Sequence, residues 1–355
     1  MKRRTKKALS CLLFDEDFLT TIKNVPIATF RASTTKIKKL VVGIEPVQAG
    51  SGNPSPDNVR LISGFTGCNV YRTGVNVWDE EMEQGGISSA TGEDAPSSQL
   101  RTKNYISING GAAYYPYFGN TIGGNNFQAR FYDAQKNYIG YTDNSGNSCI
   151  KNVPFVSPSN AAYLRFQVQV EYGTTYNHDI SINYPSTDHD YNAYVGATLP
   201  VSWLSEAGTV YAGYLSIDKD GNVILTVTHG VVSDFSNLNT NGQALSGAYR
   251  YRLVVNDCAS YNDGSCICSC LTYRVSFEYA NDGEFYNSSG ALNIYLSDAD
   301  IVSAKQTLAD NNCIIVYPLA TPVTYTLTSV TLPSLLLNQI NNIWADTGDI
   351  IELVV

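Results

Sequence analysis

Ala162-Tyr163-Leu164-Arg165-Phe166-Gln167-Val168-Gln169-Val170-Glu171 is the clearest structural statement in the chain. Leu164, Phe166, Val168 and Val170 take every second position, and Tyr163, Arg165, Gln167 and Gln169 take the others. A period of two sends alternate side chains to opposite faces of an extended backbone, so this stretch reads as a strand with one apolar face and one polar face. Around it, Lys103–Ile108, Phe127–Asp133, Tyr138–Tyr141 and Asp179–Tyr184 are further strand candidates. The segments Gly119–Asn126 and Asp143–Asn147 supply Gly- and Asn-rich turns between them. Short strands with such turns predict a β-sandwich of jelly-roll type over residues 68–194.

The flanks have a different texture. Ile27–Arg31 and Ile37–Val42 read as strands, followed by the turn cluster Gly50-Ser51-Gly52-Asn53-Pro54-Ser55-Pro56-Asp57-Asn58. Its two prolines forbid regular structure. Beyond the sandwich, Val210–Asp218 and Val223–His229 flank Lys219-Asp220-Gly221-Asn222, and Asp-Gly suits the positive dihedrals of a tight hairpin. Arg250–Val255, Leu271–Tyr279, Leu292–Leu296, Ile314–Tyr317 and a closing Asp349–Val355 are strand candidates. Asp298–Asp310 is the one helix, with Ser297 as its N-cap and Ile301, Ala304 and Leu308 on one face. The expected organisation is mostly β. A basic arm (1–23) leads into a discontinuous β-rich scaffold (24–67 and 195–355), which carries the inserted sandwich (68–194).

Composition agrees with that class. Of 355 residues, 43% are hydrophobic, enough for a sizeable core, but only 15% are charged against roughly 25% in ordinary soluble proteins. Asn (32 residues) and Tyr (25) cover the surface instead, which suits pleated strands and polar turns. The net charge of −9 is unevenly spread: residues 1–39 hold 10 of the 23 basic residues against three acidic ones. The strongly acidic remainder argues against general nucleic-acid binding, which needs clustered Lys and Arg. No stretch reaches the ~18–20 apolar residues of a membrane span. The apolar run Ala8–Phe14 behind the basic start is too short for a secretory signal, so the eight cysteines are expected to stay reduced.

Catalytic motifs are missing. There are three histidines, no Gly-x-Ser-x-Gly elbow, no phosphate loop and no His-Glu-x-x-His. Cys266-Ile267-Cys268-Ser269-Cys270, with Cys258 upstream, has too little spacing for the usual paired zinc ligands. In a strand these thiols would line one buried face, and packing, a disulfide and a metal site all stay open. Asp188 and Asp190 supply oxygens of the kind a Ca2+ site uses. Asp218–Asn222 reads as a hairpin turn rather than a calcium loop. Tyr114-Tyr115-Pro116-Tyr117-Phe118 is the densest aromatic cluster. Aromatic faces bind the apolar patches of sugars, so Tyr114, Tyr115 and Tyr117 are the candidate glycan or host contacts.

Four blocks in order carry a resemblance. They are Gly50–Arg60, Val210–Asp218, Val316-Tyr317-Pro318-Leu319-Ala320-Thr321-Pro322-Val323-Thr324-Tyr325 and Asn341–Asp349. Together they resemble tail and minor structural proteins of phages that infect Gram-positive bacteria. Phe131–Ile139 and Val156–Arg165 resemble phrases of the carbohydrate-binding or galactose-binding-like sandwich inserted in such proteins. Leu61 departs from the pattern, which usually has proline there. The resemblance implies a non-enzymatic virion component of a tail tip, baseplate or fibre, assembled in the host cytoplasm with other virion proteins. It further implies a homo-oligomer, such as a trimer, that uses the sandwich for glycan attachment. A head-fibre or capsid-decorating protein and a glycan depolymerase are the alternatives. No cofactor beyond Ca2+ and no membrane insertion are expected.

Overall fold

The computed structural model describes residues 21–354 except 26, 35, 120–125, 142–148, 219, 244–246, 260–265, 275–280, 289, 329, 331–333 and 348–349. Most of the basic arm, the Asp143–Asn147 turn, nearly all of Gly119–Asn126, Lys219 and the second half of Leu271–Tyr279 therefore lie outside the described residues. The chain is mostly β, with 49% strand and 6% helix.

Strands from both ends of the chain build the first core. One sheet runs in the order Thr21–Val25, Ile350–Val354, Lys39–Ile44, Gly213–Ile217, Val223–Val232, Ile315–Leu327, Ile267–Cys268. A second contains Ala197–Ser202, Gly67–Thr73, Ile340–Ala345 and Ala28–Arg31. Leu40, Val42, Leu215 and Leu353 of the first meet Phe30, Val70, Val201 and Ile343 of the second, with Trp203 buried among them. The hairpin read around Asp-Gly forms in register, Ile217 opposite Val223. Its Asp218 carboxylate accepts from the N–H groups of Asp220 and Asn222.

The second core lies wholly within the middle of the chain. Tyr163–Val168 pairs with Asn126–Tyr132 and, at Gln167–Arg101, with Asp94–Thr102, which in turn pairs with Met82–Ile87. Leu164, Phe166, Phe127, Phe131 and Leu100 point inward against Tyr114, Phe118, Phe155, Ile180 and Ile182 from the sheet Phe155–Val156, Ala113–Phe118, Ile180–Asn183. Two sheets thus close on one apolar interior.

A third core was not foreseen. The sheet Asn239–Gln243, Tyr249–Val254, Ala291–Leu296, Glu284–Ser288, Thr272–Tyr273 packs with the helix Ile301–Asp310 through Phe285, Ile294, Ala304 and Leu308. The helix begins later than the sequence predicts. Asp300, not Ser297, caps it by accepting from the N–H groups of Val302 and Ser303.

Two further expectations need correcting. The strand Gly67–Thr73, placed in the insert from Cys68 onward by its composition, is paired by scaffold strands on both sides. Composition tracks surface chemistry, whereas pairing follows the inward positions Cys68 and Val70. Lys103–Ile108 keeps only the two-residue strand Ile106–Ser107, after a bend at Lys103 and Asn104. The long strand there is Asp94–Thr102, whose polar spelling hides it because most of its side chains face away from the core.

Candidate functional site

The polar half of the 162–171 alternation faces away from the sandwich core and is met by the same alternation on its neighbour. Gln128 stands opposite Gln167, Arg130 opposite Arg165, and Tyr132 opposite Tyr163. Two arginines placed side by side repel, and the surroundings supply compensation. Arg165, 4% exposed, donates to the Asp94 carboxylate (2.7 Å) and the Thr102 carbonyl (2.7 Å). Arg130, 2% exposed, makes no ion pair among the described residues. It donates to the carbonyls of Ile87 and Ala129 (both 3.2 Å) and to Gln128 Oε1 (3.1 Å). Burial lowers its pKa. Gln167 Nε2 donates to Gln128 Oε1 (2.7 Å) and Gln99 Oε1 (3.1 Å), and its own oxygen accepts from the Ile87 N–H.

The turn between Met82–Ile87 and Asp94–Thr102 folds over part of this face. Tyr132 and Tyr138 donate to the carbonyls of Gly92 (2.6 Å) and Ser89 (2.7 Å). Gly92 has no room for a side chain, since a Cβ would lie 2.4 Å from the Tyr138 ring. Beside the covered part, a cleft of about 420 Å3 stays open, lined by Gln84, Asp94, Ala95, Pro96, Ser97 and Arg101. Arg101 organises it. Nη2 lies 2.9 Å from Glu83 Oε1 and 3.0 Å from Asp94 Oδ2, and Nη1 donates to the Gly86 carbonyl (2.8 Å). Gly85, at φ +150°, lets the guanidinium lie flat, because a Cβ there would come 2.8 Å from Arg101 Cζ. At the far end of the face the rings of Tyr105 and Tyr132 meet edge-on at 4.9 Å, and Lys136 Nζ sits 5.0 Å from the Tyr105 centroid. Planar hydrogen-bonding groups on a face that ends in the half-buried Tyr105 ring suit a hydroxylated or anionic ligand. None of the cleft-lining residues is a histidine, cysteine or lysine.

The residues expected to make contacts stand elsewhere. Tyr114 is fully buried in the sandwich core, where its hydroxyl oxygen accepts from the Asn109 N–H (2.7 Å), so it is not an outward contact. Tyr115, 8% exposed, stacks on His189 at 4.3 Å. Tyr117 is half-buried beside Tyr191 at 5.9 Å. Alternation failed as a guide because Tyr114, Tyr115 and Pro116 are all buried: one strand face meets the core and loops cover the other. Asp188 and Asp190 share a loop, but the Asp188 carboxylate is occupied by Asn192 Nδ2 (3.0 Å) and the Asp190 N–H (3.2 Å). No third ligand-bearing group gathers around them among the described residues, whereas Ca2+ takes six to eight oxygens.

The seven described cysteines are buried. The strand expected to carry Cys266, Cys268 and Cys270 is only Ile267–Cys268, after which the chain bends and turns Cys270 toward Cys268 and Cys313. Thiol hydrogen bonds from Cys268 and Cys313 push Cys270 down, whereas burial pushes Cys268 up.

No protein-family model, curated protein or solved structure matches this chain. No helix among the described residues is long and apolar enough to cross a membrane. The polar face was within reach of the sequence. Tyr163, Arg165 and Gln167 alternate with core residues, and a second strand, Gln128-Ala129-Arg130-Phe131-Tyr132, repeats the pattern.

Proposed function

We propose that the chain is a non-enzymatic structural component of a phage particle, in its tail tip, baseplate or fibre, and that its sandwich attaches to glycan on the host surface. The single observation that carries the attachment reading is the Arg101 cleft, an open, sheet-borne recess lined by Gln84, Asp94, Ser97 and Arg101. The virion reading is supported by the four ordered sequence blocks. The first of them has a structural reason for its spelling. Arg60 donates to the carbonyls of Ala49 (2.9 Å), Gly50 (2.9 Å) and Gly52 (2.6 Å), and Asn58 Nδ2 to that of Asn53 (2.8 Å), so Gly50–Arg60 is a loop folded on its own side chains.

A depolymerase would need a carboxyl group free to protonate the leaving oxygen. Here Glu83 and Asp94 both engage the Arg101 guanidinium. Assembly into an oligomer is supported by the strand Ile315–Leu327, whose residues Ala320–Thr324 are all exposed. The experiment is quantitative mass spectrometry of gradient-purified particles from the phage that encodes the chain. The reading requires a fixed copy number per particle. Recovery only from the infected-cell lysate would overturn it.

A further inference from the structure

Five cysteines share the third core, and three of them converge. Cys268 ends a short edge strand, Cys270 lies two residues on, and Cys313 sits between the helix Ile301–Asp310 and the strand Ile315–Leu327. The sulfurs of Cys268 and Cys313 are 3.6 Å apart, and all three sulfurs lie within 4.8 Å of one another. Each residue is at most 2% exposed. The backbone that carries them is held by contacts independent of the thiols. Ser269 N–H donates to the Ile314 carbonyl (3.0 Å) and Ile314 N–H to Ser269 Oγ (2.9 Å). Gln48 Nε2 donates to the Cys268 carbonyl (2.8 Å) and Arg60 N–H to that of Ser269 (2.6 Å).

A metal bound at about 2.3 Å to thiolate sulfur holds its sulfurs roughly 3.8 Å apart. The observed cluster brackets that spacing with little rearrangement. Apolar packing alone would be served as well by Val or Ala at any of the three positions, and gives no reason for three sulfurs from two separate segments to meet. We propose that Cys268, Cys270 and Cys313 form a three-thiolate site for a soft, thiophilic metal ion of the Cu(I) kind, since a closed Zn2+ site takes four ligands and three gather here among the described residues. Soft thiolates select such ions over Ca2+ or Mg2+, which want oxygen. As the ion binds, each thiol gives its proton to solvent and its sulfur lone pair to the metal, with no change of oxidation state. Because the cluster is enclosed, the ion enters before the core closes. It then ties the end of the helix segment to the edge strand.

The test uses the full chain produced in cells supplied with zinc and copper and purified anaerobically without chelators. Elemental analysis should give one such metal per chain, and X-ray absorption at the metal edge should show three sulfur neighbours. Cys313→Ala should lower occupancy about tenfold or more, while Cys149→Ala, in the sandwich core, should leave it unchanged. If Cys313→Ala folds poorly, the absorption spectrum of the parent chain decides alone. Three results would each overturn the proposal: a parent chain without stoichiometric metal, a metal with only nitrogen and oxygen neighbours, or a Cys268–Cys313 disulfide in the anaerobically purified protein.

Discussion

Arg101 and Tyr114 belong to the same sandwich and predict opposite responses to truncation. Arg101 lines the open cleft, where its planar guanidinium is held by Glu83, Asp94 and the Gly86 carbonyl. Arg101→Ala should leave the chain folded but lower its melting temperature, because Glu83, Asp94 and the Gly86 carbonyl lose this partner, and should remove glycan binding. Tyr114 fills the interior between Phe155 and Tyr184, with centroids at 5.9 and 5.0 Å. Tyr114→Ala should therefore cost roughly 3–5 kcal/mol, as other large-to-small core changes do, measured by denaturant unfolding. An equally stable Tyr114→Ala chain would contradict its place in the core. The sequence shows Tyr114 as one of four aromatics in five residues and cannot show that loops close over the face of that strand turned away from the core. Arg165 and Gln167 were legible as the polar half of an alternation. Their burial was not, because it depends on the distant strands that contribute Ile87, Asp94 and Thr102.

Helix Ile301–Asp310 begins where Asp300 accepts from two backbone N–H groups and from the Ser303 hydroxyl. Those bonds, that of the Ser303 side chain first, lower the Asp300 pKa. A carboxylate with a depressed folded pKa contributes stability that is present above its unfolded pKa and lost as pH falls through the folded value. Asp300→Ala should therefore lower the melting temperature at neutral pH, and the difference from the parent should shrink in acid. A difference that stays constant down to the acid limit would refute the cap. Periodicity placed the helix correctly from Ile301, Ala304 and Leu308, yet Ser297 and Asp300 are both good caps in sequence. Only the backbone turn at Asp300 (φ −123°, ψ 155°) distinguishes them. Strand Asp94–Thr102 went unread for a related reason. Its neighbours on the polar face ask for Gln99 and Arg101, so it carries little apolar signal.

Among the described residues, three large cores and a small cluster of Ala248, Tyr286 and Tyr295 organise the chain. Among the described residues, the buried sandwich core runs from Val77 to Ile182, with Tyr184 packed against it. A fragment spanning residues 74–194 should accordingly melt cooperatively, and a fragment that expresses without a cooperative transition would contradict that independence. The change of texture near residue 68 marked the insert, but not the strand Gly67–Thr73 that leads into it. The third core escaped notice because its strands share the composition of the flanks. Light scattering of the full chain should give a mass above the 38.7 kDa of one copy, as covering the exposed stretch Ala320–Thr324 of strand Ile315–Leu327 would require. Attachment through the polar face is the central claim, and equilibrium binding of the intact chain to purified cell-wall polysaccharides from Gram-positive bacteria tests it most directly. The account predicts saturable binding to at least one polysaccharide, abolished by Arg101→Ala without loss of folding. Absence of binding across the panel, or equal binding by the folded Arg101→Ala chain, would contradict it.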